Sequence, residues 1–217
     1  MKVILFGASG MVGGGVLRHC LKDPKVEAVL SVGRRPSGVA DPKLRELTVA
    51  DLFHLADHAD ELRGYDACFF CAGVSSVGMS EDDYRRLTYD MTIRVAEVLE
   101  ELNPNLTFCY VSGQGTDGTA AGRTMWARVK GETENKLLSM GFSAYMFRPG
   151  VIQPAKGVPP QSKWIRAVYV LMTPIFPLLH AVAPNSITTT EAIARAMIRV
   201  SEGGAGPHVL EVKEINA

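Results

Sequence analysis

Short apolar runs alternate with longer stretches of helical periodicity along the chain. Residues 2–6 (KVILF) form an apolar run that predicts a strand, and residues 12–22 follow as a predicted helix after a cluster of glycines. Residues 26–33 (VEAVLSVG) and 44–51 (LRELTVAD) predict two more strands, residues 52–64 a helix, and the apolar run at 66–73 (DACFFCAG) a buried strand. Ser80 with Asp83 three positions later has the look of a capping box. Behind it Tyr84, Leu87, Met91, Val95, Val98 and Leu102 recur at helical spacing, which predicts a long amphipathic helix over about 81–102. Residues 106–113 read as a fifth strand, about 120–140 as a helix and 142–150 as a sixth strand. Strand and helix in regular alternation predict an α/β fold around a parallel sheet.

The rhythm changes after Gly150. Pro154, Pro159 and Pro160 interrupt it, and residues 164–184 are strongly apolar. That stretch is about long enough to cross a bilayer, yet it holds Arg166, His180 and two internal prolines, so a substrate-pocket wall or lid is favoured over a membrane span. A contact between copies in a homo-oligomer is the alternative. Residues 188–200 predict another helix and 208–212 a closing strand. The expected organisation is one domain over 1–217, with a cofactor-binding core at 1–150 and a substrate-side cap with closing strand at 151–217.

Composition narrows the classes. A chain of 217 residues suits one α/β domain. Lys and Arg number 23 against 23 Asp and Glu, with no basic stripe, which argues against nucleic acid as the partner. The start runs straight into a glycine loop with no signal-peptide core, so the expected location is cytoplasmic. Cys68 and Cys71 make a C-x-x-C, but on a strand positions i and i+3 point to opposite faces, and no second such pair exists. Small buried thiols are expected there, and no metal site.

The candidate chemistry begins at "GASGMVG", residues 7–13. Gly7, Gly10 and Gly13 stand directly after a strand and at the head of a helix, the context of a dinucleotide-binding turn in a doubly wound parallel sheet, the Rossmann fold. Gly7 allows the tight turn, Gly10 the approach of a pyrophosphate and Gly13 close helix–strand packing. Ala8, Ser9, Met11 and Val12 complete the loop, and the helix amino terminus offers its N–H groups to the phosphates. At the end of the second strand, where an acid would hold a ribose 2′-hydroxyl, the chain has Arg34 and Arg35. A guanidinium pairs with a 2′-phosphate, so NADP is the expected cofactor, with NADPH favoured over NADH.

With those motifs, "CAG" (71–73), "YVSG" (110–113), "WARVK" (126–130) and "RPGVI" (148–152), the sequence resembles the atypical short-chain dehydrogenase/reductases, in the subgroup of the Tat-interacting protein. The resemblance implies that Asp51, followed by Leu52, meets the adenine, that Ala72 and Gly73 line its ribose, and that Pro149, Gly150 and Val151 border the nicotinamide. It assigns Ser112 to polarising a substrate carbonyl and Lys130 to gripping the nicotinamide ribose. The family's proton-donating tyrosine falls on Trp126, whose indole does not titrate, and its relay asparagine falls near Thr88. Tyr84, Tyr89 and Tyr169 are substitutes only if the fold brings one close. The resemblance implies an oxidoreductase acting on a carbonyl or alcohol of a small-molecule substrate, and the apolar stretch 164–184 points to an apolar one. The alternative is an NADPH-binding sensor that has lost its catalysis.

Overall fold

In the computed structural model, which describes residues 1–155, 186–203 and 206–217, seven strands form one parallel sheet. They are β1 (Lys2–Phe6), β2 (Ala28–Gly33), β3 (Leu44–Thr48), β4 (Ala67–Phe70), β5 (Thr107–Val111), β6 (Ser143–Phe147) and β9 (Val209–Leu210). Their order is β3-β2-β1-β4-β5-β6-β9, so the chain reverses its direction of travel between β1 and β4. In such sheets ligands bind in the crevice at the carboxyl ends of the strands, beside that reversal. A separate parallel pair joins β7 (Val151–Gln153) to β8 (Ile187–Thr189).

Burial on both faces explains why the inner strands β1, β2, β4 and β5 read as nearly unbroken apolar runs, whereas β3 (LRELT), at the sheet edge, has no buried residue. On β1, Val3 and Leu5 join one core cluster while Ile4 and Phe6 join the other, each fully buried. Helix α1 (Met11–Lys22) packs on the first face together with α5 (Thr190–Ser201), whose Ile193 and Met197 share the cluster of Val3. The two helices come very close. A Cβ on Gly15 of α1 would fall 2.3 Å from Thr190 Oγ1, which accounts for a glycine that helix propensity alone disfavours. Residues 190–217, grouped by sequence with a substrate-side cap, instead complete the body of the fold: α5 covers the sheet and β9 extends it. β9 is shorter than the expected 208–212 because Glu211 and Glu214 form a capping box that starts a last helix, α6 (Val212–Asn216). The apolar stretch 164–184 lies outside the described residues. Among those described, no helix is long and apolar enough to cross a membrane.

The second face carries an aromatic ladder in which Phe70 lies 5.3 Å from Phe6 and 5.9 Å from Phe108, ring to ring. Over it lie the long helix and α4 (Met125–Leu138). The long helix forms as predicted over 81–102 but in three successive segments: α2 (Glu81–Arg85), a π-helical turn (Arg86–Asp90) and α3 (Met91–Leu102). Ser80 caps it, accepting from Asp83 N. The helix expected at 52–64 is a 3₁₀ segment, Leu52–Leu62, interrupted at His54 and His58. Only Leu55 and Leu62 of it are buried, too narrow a stripe to hold a full α-helix against the sheet.

Candidate cofactor and substrate site

The turn after β1 is shaped by contact with its neighbours. Gly7 has φ +85°, and a Cβ there would lie 2.7 Å from the backbone of Cys71 at the end of β4. A Cβ on Gly13 would fall 2.2 Å from the Gly7 carbonyl, so α1 presses directly on the turn. Gly10 N donates to Gly7 O at 2.9 Å, and Gly10 itself is the N-cap of α1, with no side chain satisfying the first amides. Those amides and the positive end of the helix dipole are what a pyrophosphate needs.

Two cavities run along this crevice and share Cys71, Ala72, Gly73 and Val74. The larger, about 820 Å³, is lined by Gly7, Ser9 and Gly10, by Arg34 and Arg35 at the end of β2, and by Asp51 and Leu52. Both arginines are exposed, and neither forms an ion pair among the described residues. Asp51 caps the 3₁₀ segment, its Oδ1 accepting from Phe53 N. Phe53 and Arg86 also line this cavity and went unnoticed in the sequence; the Arg86 guanidinium lies 5.7 Å from the centre of the Phe53 ring. Arg86 sits in the π-helical turn, a deformation that recurs at functional sites. Ala8, Met11 and Gly13 belong to the turn without lining either cavity.

The smaller cavity, about 520 Å³, takes its walls from Val12, Ser112, Gln114, Lys130, Pro149, Gly150, Val151 and Ile152. Lys130 Nζ donates to the Ser112 carbonyl. Burial pulls its pKa down to about 8, and Glu134 one turn along the helix opposes that pull. Ser112 is not free to act as the resemblance implies. Its hydroxyl oxygen lies 2.5 Å from Glu134 Oε1 and 3.1 Å from the Phe147 carbonyl, so its one proton is engaged within the protein. Glu134, 1% exposed, also accepts from Arg148 Nη2 at 2.5 Å and Nε at 3.1 Å, while Arg148 Nη1 reaches Glu211 Oε1 at 3.2 Å. This network escaped the sequence reading, although Lys130 and Glu134 stand at the i, i+4 spacing of one helix face.

Trp126 lines neither cavity; its ring edge instead packs beside Gly115. Thr88 is buried in the π-helical turn, and Tyr84 and Tyr89 line neither cavity. Tyr169 lies outside the described residues. Cys68 and Cys71 face opposite sides of the sheet, and burial raises the pKa of both thiols.

The profile of the NAD dependent epimerase/dehydratase family matches residues 3–127, more than half of the chain and every residue that lines the larger cavity. The chain belongs to the NAD-dependent epimerase/dehydratase family. That agrees with the resemblance to short-chain dehydrogenase/reductases and with a nicotinamide dinucleotide as the ligand of the glycine turn. The family fold is also that of a UDP-glucose 4-epimerase from Thermotoga maritima, solved with UDP-glucose (TM-score 0.70, 12% identity, 100% of this chain and 80% of that one). A second likeness is the Bordetella bronchiseptica enzyme WbmF in complex with NAD+ (TM-score 0.66, 14% identity, 99% and 76% covered). Among curated relatives, protein fmp52, mitochondrial, of Emericella nidulans is 26% identical over 159 residues, 70% of this epimerase/dehydratase-family chain. The match spans just under two thirds, 66%, of that protein's length. This relative and those from Aspergillus clavatus and Chaetomium globosum are named as mitochondrial, which overturns the expectation of a cytoplasmic protein.

Proposed function

We propose that this protein is an NADP(H)-dependent oxidoreductase acting on a carbonyl or alcohol of a small apolar molecule. The observation that carries the cofactor choice is the pair Arg34 and Arg35 lining the larger cavity beside the glycine turn, with no acid at the end of β2. A 2′-phosphate there gains charge-assisted hydrogen bonds from guanidinium groups, which a neutral hydroxyl does not match. Gly7, Ser9, Gly10 and the α1 amides hold the pyrophosphate; Asp51, Leu52, Ala72 and Gly73 border the adenosine. Pro149, Gly150, Val151 and Lys130 flank the nicotinamide in the smaller cavity. When bound, the cofactor supplies or accepts a hydride. The chain's part is to orient it, exclude water and manage the proton; Trp126, which falls on the family's tyrosine by sequence, lies outside both cavities.

NADPH is expected to bind at least tenfold tighter than NADH in a fluorescence titration, a difference of about 1.4 kcal/mol. Replacing Arg34 and Arg35 by alanine removes most of that preference; equal affinities in the parent refute it. The engaged Ser112 hydroxyl and the position of Trp126 favour a second reading, a cofactor-binding sensor without turnover. NADPH oxidation over a panel of diketones and quinones separates the two: turnover supports the enzyme, and binding without any turnover supports the sensor.

A further inference from the structure

The smaller cavity sets a narrow problem in proton supply. Among the described residues that line it, the side chains with an exchangeable proton are Cys71, Ser112, Gln114 and Lys130. An amide does not titrate, the Ser112 proton is engaged by Glu134 and Phe147, and the Cys71 thiol is held firmly protonated by burial. Lys130 remains. It projects from α4 across to the end of β5, where the Ser112 carbonyl holds its Nζ at the cavity wall.

We propose that Lys130 itself delivers the proton to the substrate oxygen, the task that a tyrosine beside a lysine would otherwise perform. The assignment rests on the oxidoreductase reading above. In the reducing direction the carbonyl carbon receives a hydride from reduced nicotinamide, a C–H bond forms, and the π pair of the carbonyl becomes a lone pair on oxygen. That oxygen takes a proton from the Lys130 ammonium, leaving an alcohol, oxidised cofactor and a neutral amine that regains its proton from water. In the oxidising direction the neutral amine removes the alcohol proton as the hydride leaves.

The surroundings suit that task. Desolvation brings the Lys130 pKa to about 8, so both protonation states are accessible near neutral pH, as general acid–base catalysis requires. Among the described residues the charged groups around it are few. Glu134 lies one turn along α4 and favours the ammonium; Arg148 from the end of β6 and Glu211 from the N-cap of α6 act through Glu134. On the side of α4 facing α2, Glu132 is paired with Arg85 and Arg128 with Glu81. Because Arg148 engages Glu134 with two nitrogens, that carboxylate is not a close counter-ion able to lock Lys130 in its charged state.

Two measurements test the assignment. First, in the cofactor-free full chain, acetylation of Lys130 by acetic anhydride is followed by mass spectrometry from about pH 6 to 11, against surface lysines titrating near 10.4. A reactivity midpoint near 8 is expected; a midpoint with the surface lysines overturns the proposal. Second, kcat for NADPH-dependent carbonyl reduction is followed with pH in the parent and in Lys130→Arg, which keeps the positive charge but cannot give up its proton. At saturating NADPH the parent is expected to lose rate about tenfold per pH unit above 8, and Lys130→Arg to lose at least about 10²-fold in kcat. Turnover that survives in Lys130→Arg, with the parent's pH profile, overturns the Lys130 assignment alone. A parent that binds NADPH and reduces no carbonyl overturns both this assignment and the oxidoreductase reading.

Discussion

The Glu134–Arg148 pair offers the sharpest test of the structural argument. The two side chains are 1% and 17% exposed and meet at 2.5 Å, so each charge depends on the other for its solvation. Removing one partner of such a pair strands the other and typically costs about 3–5 kcal/mol. Glu134→Met leaves Arg148 with Glu211, which is 47% exposed and 3.2 Å away, so a loss near the lower end, about 3 kcal/mol, is expected. Arg148→Met leaves the Glu134 carboxylate with a Ser112 hydroxyl and one partly enclosed lysine, and about 4 kcal/mol is expected. The double variant places two methionines in contact and strands no charge, so it should lose less than either single variant, about 1–2 kcal/mol. The assay is urea unfolding of all four proteins at neutral pH, with the coupling read from the double-mutant cycle. In thermal melts the single variants should fall by roughly 6–16 °C, at about 2–4 °C per kcal/mol for a chain of this size. Losses that simply add in the double variant would refute the claim that these two charges are buried as a unit.

Two further outcomes follow from the same geometry. The Lys130 pKa is lowered in the folded state, to about 8 from 10.5, so between those values the unfolded chain binds more protons and parent stability gains from this group as pH rises. Lys130→Met should therefore be most stabilised relative to the parent below about pH 8, with the gap closing towards 10.5; a gap that ignores pH contradicts the burial of the ammonium. Gly15→Ala should destabilise the protein despite its better helix propensity, because its Cβ would fall 2.3 Å from Thr190 Oγ1. Thr190→Ala should relieve most of that loss in the double variant, and a neutral or stabilising Gly15→Ala would show that α1 and α5 are not in contact.

The sheet was legible because its inner strands are short apolar runs buried on both faces, and the glycine turn because its spacing follows from where backbone must pass backbone. The long helix announced itself through Ser80 and its apolar stripe, whereas its π-helical turn did not, since one extra residue in a turn leaves the periodicity almost intact. The 3₁₀ segment was read as a helix because its buried leucines, Leu55 and Leu62, stand seven apart, the spacing of two α-helical turns. Arg34 and Arg35 were legible from position alone. Glu134 and Arg148 were not, because their pairing joins α4 to the end of β6 across tertiary space. Ser112 was assigned by its place in the chain, but which way its hydroxyl turns is decided by Glu134, which position along the chain cannot reveal.

That last point links stability to chemistry at one end of the crevice. Arg148 leaves β6 immediately before Pro149 and Gly150, which wall the smaller cavity, and Glu134 lies one turn beyond Lys130 on α4. Their ion pair therefore fixes the distance between the helix that carries the lysine and the strand end that carries the wall. Ser112, held by the same carboxylate, presents its carbonyl to Lys130 Nζ from the third side. A serine committed in this way cannot also polarise a substrate, but it can hold an ammonium at the rim of the cavity. The proposed proton transfer needs no second acid if Lys130 is both enclosed and steered. Loosening the ion pair should then disturb the Lys130 environment before it disturbs the glycine turn, because β1 and α1 lie on the far side of β4 and share no hydrogen bond with that network.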